Sequence, residues 1–227
     1  MAIQIYSKFL KLERKKMKTI LVASYKGGVG KSTVSNFFGE KLGNTIILNL
    51  DIYQDNNDFN STNTINVDIN EDLEEILKNL EKKYKYGIID SGGFDDKRLY
   101  ELDIDLFVFV TRTDYRSIKT TIDTAATLLN KSKSNKKEVM FLINQYENDK
   151  ELNTAVEMLQ EILSLSEIVA DNFYSVAIKK SNAVTTAINN KLSLSELYNQ
   201  NKAAYKKVNE NFENLADEIK GIINEKD

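Results

Sequence analysis

Residues 19–33 read Thr-Ile-Leu-Val-Ala-Ser-Tyr-Lys-Gly-Gly-Val-Gly-Lys-Ser-Thr, a short apolar run that leads into a glycine-rich loop. Continuous apolar runs of this length are typical of strands buried on both faces of a parallel sheet. The glycines let successive backbone N–H groups point into one concavity, and the positive end of a following helix adds to the attraction for anions. The stretch therefore predicts a phosphate-binding loop between a strand and a helix.

The last residues of the loop have defined roles in loops of this kind. Lys31 is expected to reach the β- and γ-phosphates of a nucleotide, and the Ser32 hydroxyl to ligate Mg²⁺. Thr33 is expected to contact the α-phosphate. The loop residues predicted to bind the nucleotide are Gly27, Gly28, Val29, Gly30, Lys31, Ser32 and Thr33.

The composition restricts the chemistry that the chain can perform. It contains neither Cys nor His, which excludes disulfides, Cys-ligated zinc, iron–sulfur clusters and imidazole chemistry. Catalysis must therefore use carboxylates, lysines, hydroxyls, backbone amides or a carboxylate-bound cation. A formal charge of −3, from 31 basic and 34 acidic residues, argues against a protein dominated by nucleic-acid electrostatics but allows a local basic face.

The beginning of the chain shows no pattern for secretion or membrane insertion. No stretch approaches the roughly 20 consecutive apolar residues of a membrane span, and residues 1–16 do not read as a signal peptide. We expect a cytoplasmic protein. Residues 1–16 are an N-terminal extension, either a short amphipathic helix with Ile5, Phe9 and Leu12 on one face or an over-extended start. Residues 17–227 are predicted to form a single P-loop ATPase domain.

Beyond the loop, short apolar runs alternate with longer amphipathic ones. The runs predicted as strands are Thr19–Ser24, Thr45–Asp51, Tyr86–Asp90, Asp105–Thr111, Glu138–Asn144 and Phe173–Ile178. The predicted helices are Lys31–Leu42, Glu71–Lys83 (with Asn70 as N-cap), Ser117–Asn130, Asp149–Leu163, Ser181–Ile188, Ser193–Asn199 and Tyr205–Asn224. This alternation predicts a doubly wound α/β fold, a mostly parallel sheet with helices on both faces.

The string Lys-Gly-Gly-Val-Gly-Lys-Ser-Thr, with a lysine at its first position, resembles the deviant Walker A motif of the ParA/MinD ATPases. From Met17 to about Ile223 the order of elements is similar to that of ParA-type partition ATPases. The resemblance implies that Lys26 reaches across an ATP-dependent homodimer to the ATP of the other subunit. It also implies that Asp51, in Asn-Leu-Asp-Ile-Tyr-Gln, positions the attacking water. Asn49 replaces the first aspartate of the family pattern, and the family's proline is missing.

The resemblance implies further site residues at the ends of later strands. Asp90, which ends Tyr-Gly-Ile-Ile-Asp, matches the Walker B aspartate and is expected to hold Mg²⁺ together with Ser32. The Ser91–Gly93 segment after it is expected to sense the γ-phosphate. Asn144-Gln145-Tyr146-Glu147 lacks the Lys and Asp of a guanine-binding Asn-Lys-x-Asp motif. ATP is therefore favoured over GTP, with Asn144 at the adenine edge.

Among ParA/MinD relatives, the sequence favours DNA partition over membrane binding. The last predicted helix carries acidic residues (Glu210, Glu213, Asp217, Glu218 and Glu225), which anionic lipid would repel. The resemblance implies non-specific DNA binding through basic residues of the last third, for which the candidates are Lys179, Lys180, Lys191, Lys202, Lys206 and Lys207. A second cluster reads as a solvated loop between a helix and a strand: Lys131, Lys133, Lys136 and Lys137.

The implied activity is a slow ATP hydrolysis stimulated by a ParB-like partner protein, with Lys26, Lys31 and Asp51 as the catalytic residues. The ATP-bound dimer would lie on the nucleoid and leave it after hydrolysis. The alternative is a MinD-like positioning ATPase that acts on a membrane or a protein scaffold. A small-molecule ligase with a P-loop is a third possibility, but its phosphate loop usually lacks the first lysine.

Overall fold

A computed structural model of the chain describes residues 16–51, 63–93 and 95–224. The predicted amphipathic helix in the N-terminal extension, with Ile5, Phe9 and Leu12, lies outside these residues, and so does Glu225 of the last helix. The division into an extension and one ATPase domain stays a prediction.

Seven strands form one sheet in the order β3-β2-β4-β1-β5-β6-β7, and every neighbouring pair is parallel. The strands are β1 (Lys18–Ala23), β2 (Thr45–Asn49), β3 (Asn63–Asn66), β4 (Tyr86–Asp90), β5 (Leu106–Thr111), β6 (Glu138–Tyr146) and β7 (Asn172–Lys179). The prediction of a doubly wound α/β fold with a mostly parallel sheet is confirmed.

Helices cover both faces of this sheet. They are α1 (Lys31–Leu42), α2 (Leu73–Leu80), α3 (Tyr115–Lys131), α4 (Asp149–Ser164), α5 (Asn182–Asn189), α6 (Leu194–Gln200) and α7 (Lys202–Asn224), with a 3-10 helix at Lys97–Tyr100. Within the described part of the chain, no helix has the length and hydropathy needed to cross a membrane.

Alternate side chains of the central strands enter two separate hydrophobic cores. Ile20 and Val22 of β1 pack in one core with residues of α1 and α7, among them Phe37 and Phe212, whose rings meet edge-on at 5.0 Å. Leu21 and Ala23 belong to the other core, which includes residues of α2, α3 and α4. Because both faces are buried, the central strands need continuous apolar runs, which is the pattern the sequence shows.

The strand order places the phosphate-binding loop at the middle of one edge of the sheet. β1 lies between β4 and β5, so that the carboxyl ends of three strands surround the loop that follows Ala23. Ligands of open parallel sheets bind at this carboxyl edge.

Several predicted element boundaries were wrong. The strand Asn63–Asn66 was missed, and β2 ends at Asn49 rather than at Asp51. The cap of α2 is Asp72, whose side chain accepts from the backbone N–H groups of Glu74 and Glu75, and not Asn70. Asn70 instead donates to the Asp68 side chain in the turn before the helix.

Candidate nucleotide-binding site

The loop between β1 and α1 contains backbone conformations that favour glycine. Gly28 has φ +72° and Gly30 has φ +99°, both in the left-handed region. A Cβ added to Gly30 would also lie 2.4 Å from Nδ2 of Asn144, too close for any side chain. The glycines at these two positions are therefore required by the shape of the loop.

Helix α1 begins without a side-chain N-cap, whereas α2 to α6 each have one. Its N-cap residue, Gly30, makes no side-chain hydrogen bond to the helix, and the first turn has no acidic residue. The side chains of Asp72, Asp114, Asn148, Ser181 and Ser193 cap α2 to α6, respectively. The first N–H groups of α1 are thus available to an anion at the positive end of the helix.

Lys31 and Asp90 are two buried charges at the head of α1. The Lys31 side chain begins α1, and Asp90 ends the adjacent strand β4; the two residues are 9 % and 1 % exposed. Burial lowers the pKa of Lys31, against the opposing influence of the Asp90 and Asp51 carboxylates. Burial also raises the pKa of Asp90 to about 6, although a hydrogen bond from Ser32 and the charge of Lys31 favour its ionised form. The structure therefore brings Lys31, Ser32, Asp51 and Asp90 together.

Asp51 is held through its backbone by Asn49. The Asn49 side chain accepts a hydrogen bond from the Asp51 N–H at 3.0 Å and donates to the Asp51 carbonyl at 3.3 Å. Its Nδ2 also donates to Oδ1 of Asn66, on β3, at 2.9 Å. Asn49 is fully buried, so it serves here as a hydrogen-bonding residue that fixes the strand end before Asp51.

Lys26 lies at the entrance of the loop and is half-buried. Its backbone N–H donates to the Ser24 hydroxyl at 3.3 Å. The pKa of Asp114, the N-cap of α3, is lowered first by a hydrogen bond from Ser117 and to a smaller degree by the charge of Lys26. The Lys26 ammonium therefore lies within electrostatic reach of Asp114.

Asn144 contacts the loop directly. Its Nδ2 donates to the Val29 carbonyl at 2.8 Å, and the residue is buried. Asn144 also lines a cleft of about 490 Å³ that begins beside Thr33 and continues along α5, with Gln145, Ile178, Lys179 and Thr185 among its other lining residues. This cleft lies next to the predicted α-phosphate contact, which is the position expected for a nucleotide base.

The donor set fits Mg²⁺. The Ser32 hydroxyl and the buried Asp90 carboxylate supply hard oxygen ligands, which this ion prefers. Across residues 16–51, 63–93 and 95–224, no group of three or more acidic, Cys or His side chains is arranged to hold a metal. The remaining ligands would have to come from water and from a bound phosphate, as is usual for Mg²⁺ at phosphate sites.

Two residues that make contacts at the loop, Arg112 and Tyr25, were not among the predicted site residues. The Arg112 guanidinium, directly after β5, donates to the Gly28 carbonyl at 3.0 Å. The Tyr25 hydroxyl donates to Asp95 at 3.0 Å, in the segment that follows β4. An ordinary Gly-x-x-x-x-Gly-Lys motif has its first glycine five residues before the second, and in this chain Tyr25 occupies that position. This replacement of a glycine is the sequence feature that could have drawn attention to Tyr25.

Comparison with known proteins identifies the family. Residues 20–194 match the family described as the CobQ/CobB/MinD/ParA nucleotide binding domain. The chain belongs to this family. A comparison with curated protein sequences gave no match. The prediction of a ParA/MinD-group protein with a P-loop α/β fold is confirmed, because the match spans the loop, both predicted aspartates and most of the sheet.

Solved structures with this fold are similar at low sequence identity. An ATP complex of a McdA variant from Cyanothece has a TM-score of 0.64 and 16 % identity, with 92 % of this chain and 97 % of that chain covered. MinD of Aquifex aeolicus has a TM-score of 0.59 and 16 % identity, with 87 % and 96 % covered. A plasmid partition protein of Borrelia burgdorferi bound to AMPPNP has a TM-score of 0.56 and 18 % identity, with 87 % and 97 % covered. At these identities the likeness establishes the fold alone.

In this ParA/MinD-type domain, three of the six candidate DNA-binding lysines share one groove. Lys179 and Lys180 at the end of β7 and Lys207 on α7 line a groove of about 670 Å³. The other three are exposed and do not line it: Lys191, Lys202 and Lys206. Lys180 pairs with Glu147 and Lys206 with Glu210, so part of the positive charge is compensated.

Lysines of the second cluster, predicted as a solvated loop, make hydrogen bonds and ion pairs with neighbouring residues. Lys131 donates to the Tyr100 hydroxyl at 3.0 Å and lies 3.5 Å from Asp95. Lys133 pairs with Glu101, and Lys137 donates to the Leu129 carbonyl at 2.5 Å. The contacts of Lys131 and Lys133 tie the end of α3 to the segment of the neighbouring 3-10 helix, and the contact of Lys137 is to α3 itself.

Proposed function

We propose that this chain is an ATP-dependent, dimerising ATPase that binds DNA non-specifically and partitions plasmid or chromosomal DNA. The observation that carries the proposal is the uncapped head of α1, which begins with Lys31 and Ser32 and lies beside the buried Asp90. This arrangement supplies backbone donors, a cation and a metal ligand to a nucleoside triphosphate and its Mg²⁺.

The proposed reaction is hydrolysis of ATP to ADP and phosphate. Lys31 would bind the β- and γ-phosphates, and Ser32 and Asp90 would hold Mg²⁺, which neutralises charge that develops on the phosphates. Asp51, whose carboxylate lies within electrostatic reach of Lys31, would orient the attacking water. Lys26 would complete the site of a second copy and stabilise the charge of the transferred phosphoryl group in trans. We expect this hydrolysis to be slow until a ParB-like partner stimulates it.

The arrangement of the lysine groove supports DNA over a membrane as the surface that is bound. Lys179, Lys180 and Ser181 line both this groove and the cleft proposed for the base, so a base bound in the cleft would lie against residues of the groove. The exposed part of α7 beyond the groove carries acidic side chains, so it lacks the basic face with which an amphipathic helix lies on anionic lipid. On this basis the protein would lie on the nucleoid when ATP is bound.

The decisive experiment combines light scattering after size exclusion with DNA retention, each with ATP·Mg²⁺ and with ADP·Mg²⁺. We expect an ATP-dependent dimer that retains DNA of arbitrary sequence at low salt. Substitution of Lys179, Lys180 and Lys207 by Gln should weaken retention and reduce the slope of log affinity against log salt by roughly 3. The matched control, Gln at exposed Lys82, Lys83 and Lys150, changes the net charge equally and should leave that slope unchanged.

Other outcomes would redirect the proposal. A dimer that ignores DNA but is retained by anionic liposomes would favour the MinD-like positioning function instead. A chain that hydrolyses ATP without forming a dimer would contradict the proposed role of Lys26.

A further inference from the structure

Two side chains donate hydrogen bonds to consecutive backbone carbonyls of the phosphate-binding loop. Nη2 of Arg112 lies 3.0 Å from the carbonyl oxygen of Gly28, and Nδ2 of Asn144 lies 2.8 Å from that of Val29. Arg112 directly follows β5 and Asn144 is part of β6, so the donors come from two neighbouring strands. The loop itself follows β1, on the other side of β5.

These bonds fix the direction of two backbone N–H groups. In a planar trans peptide, the carbonyl and the N–H of the next residue point in opposite directions. The bond from Arg112 to Gly28 therefore fixes the Val29 N–H, and the bond from Asn144 to Val29 fixes the Gly30 N–H. Both N–H groups belong to the loop that the proposed function assigns to the phosphates.

A glycine-rich loop needs such fixing, because glycine backbone is conformationally free before a ligand binds. Ordering it only on binding would cost conformational entropy and lower the affinity. The fit around the loop is already close: Val29 is 1 % exposed, and no side chain is possible at Gly30 beside Asn144.

We propose that Arg112 and Asn144 are positioning residues that hold the phosphate-binding loop in its ligand-binding conformation before the nucleotide arrives. They act through the Gly28 and Val29 carbonyls and not on the reacting atoms. The proposal rests on the proposed function only in taking this loop as the nucleotide site; it requires neither DNA nor a partner.

The first test is calorimetric titration of the full chain with ADP·Mg²⁺ and with ATP·Mg²⁺. Arg112→Gln should lower both affinities together by roughly tenfold, the effect of losing one hydrogen bond to a charged donor. Its KM for ATP should rise in step while kcat stays within about twofold, because the lost interaction serves ground state and transition state alike. Arg112→Lys, which keeps one charged donor, should restore part of the affinity. Arg116→Gln, on the exposed side of α3, is the matched control and should change neither constant.

A purely structural role would instead lower the thermal stability of the nucleotide-free chain and leave nucleotide affinity unchanged. If Arg112→Gln weakened ATP but not ADP, or lowered kcat alone, Arg112 would contact the γ-phosphate and the proposal would be wrong. Unchanged affinities for both nucleotides would overturn it as well.

The second test uses Asn144→Ala, with Asn190→Ala as its control because Asn190 also donates to a backbone carbonyl, that of Thr186, at 2.8 Å. Since both positioning residues hold the same loop, the loss in the double variant should be smaller than the product of the two single losses. If the loss of affinity in the double variant equalled the product of the two single losses, the two residues would act independently and a shared role would be contradicted. If Asn144→Ala does not fold, the Arg112 variants alone decide the proposal.

These results are separable from a failure of the proposed function. A wild-type chain that binds ADP·Mg²⁺ but retains no DNA would remove the partition proposal and leave the positioning proposal to be decided by the Arg112 variants.

Discussion

The Asn49 side chain donates to the side-chain oxygen of Asn66 across 2.9 Å and so joins the carboxyl ends of β2 and β3. The same amide donates to the Asp51 carbonyl and accepts from the Asp51 N–H. All of this takes place with Asn49 fully buried, at a position where the ParA pattern has an aspartate. A carboxylate cannot donate two of these bonds, so Asn49 is suited to its own surroundings and is not a simple loss of charge.

Asn49→Asp, which restores the residue of the family pattern, should therefore destabilise the protein. At pH 8 we expect the free energy of unfolding to fall by about 2–4 kcal/mol, since a buried charge is introduced beside Asp90 and two donated bonds are lost. At pH 5 the loss should be smaller, because the introduced carboxyl can take up a proton. Urea denaturation followed by circular dichroism measures both, with Asn190→Asp on the surface as control. Equal stability together with faster ATP hydrolysis would show that Asn49 limits the enzyme instead.

The two lysines of the loop should separate nucleotide binding from dimer chemistry. Lys31→Ala removes the buried cation at the head of α1 and should lower affinity for ATP·Mg²⁺ at least about 100-fold, given charge-assisted bonds to two phosphates. Lys26→Ala should keep that affinity within about threefold and lose dimerisation and hydrolysis, because Lys26 acts on the second subunit in our proposal. Calorimetry and light scattering on the same samples distinguish them. An equal loss of nucleotide binding in both variants would place Lys26 at its own subunit's phosphates.

Asp51→Ala should leave ATP bound and trap the dimer. If Asp51 orients the attacking water, its removal slows hydrolysis by roughly 100-fold or more without weakening the ground-state complex. Single-turnover hydrolysis and calorimetry measure the two effects separately. Asp123→Ala, on the exposed face of α3, is the control and should behave as wild type. Hydrolysis at the wild-type rate in the Asp51 variant would exclude it as the water-positioning residue.

Asp90 should lower the stability of the nucleotide-free protein at alkaline pH. Its pKa is raised to about 6 in the folded state from an ordinary value of 3.8, so the folded chain binds the proton more tightly than the unfolded chain does. The resulting cost is absent below pH 3.8, grows between pH 3.8 and 6, and is complete above pH 6, at about 3 kcal/mol.

Asp90→Asn removes this cost, and we expect it to raise the free energy of unfolding at pH 8 more than at pH 5. The experiment is urea denaturation with chelator at the two pH values. The same variant should lose the added stability that ATP·Mg²⁺ gives to wild type, because Asp90 is the proposed metal ligand. If the gain in the free energy of unfolding were the same at pH 5 and pH 8, Asp90 would be ionised in the folded protein at both pH values.

Those parts of the fold that depend on local pattern could be predicted from the sequence. The bounds of α1, Lys31–Leu42, and of β4, Tyr86–Asp90, are those predicted, because a glycine loop precedes the first and both faces of the second are buried. The strand Asn63–Asn66 could not be predicted, since it lies at the edge of the sheet, is largely exposed and offers a single apolar residue, Ile65. It becomes a strand by pairing with β2, and the residues of β2 are separate from it along the chain, so its own sequence does not reveal the pairing.

For the site as well, residues that belong to local motifs could be predicted, and residues placed by the packing of the sheet could not. Lys31, Ser32 and Asp90 belong to recognisable motifs, and the structure brings them together. Arg112 carries no motif, and its contact with Gly28 depends on the neighbouring positions of β1 and β5 in the sheet. For Asn144, the sequence suggested the base edge but gave no sign of its bond to Val29, because β6 and the loop are 115 residues apart along the chain.

Glu40 of α1 caps a different helix, and its loss should loosen the C-terminal part of the fold. Its carboxylate accepts from the backbone N–H groups of Leu194 and Ser195 at the start of α6, both at 2.8 Å, and from the Ser195 hydroxyl. It also lies 3.2 Å from Lys41, and both side chains are nearly buried. An anion at this position is favoured by the positive end of α6 as well as by its hydrogen bonds.

Glu40→Gln keeps the size of the side chain but removes the charge and leaves Lys41 less well paired. We expect the free energy of unfolding to fall by about 1–3 kcal/mol, and amide hydrogen exchange to increase most at the first residues of α6. Glu157→Gln, exposed on α4, is the matched control and should change the free energy of unfolding by less than about 0.5 kcal/mol. If exchange in α6 stayed at the wild-type rate while overall stability fell, Glu40 would act only within α1. Increased exchange confined to the start of α6 would instead show that α1, the helix following the phosphate loop, holds α6 in place through Glu40.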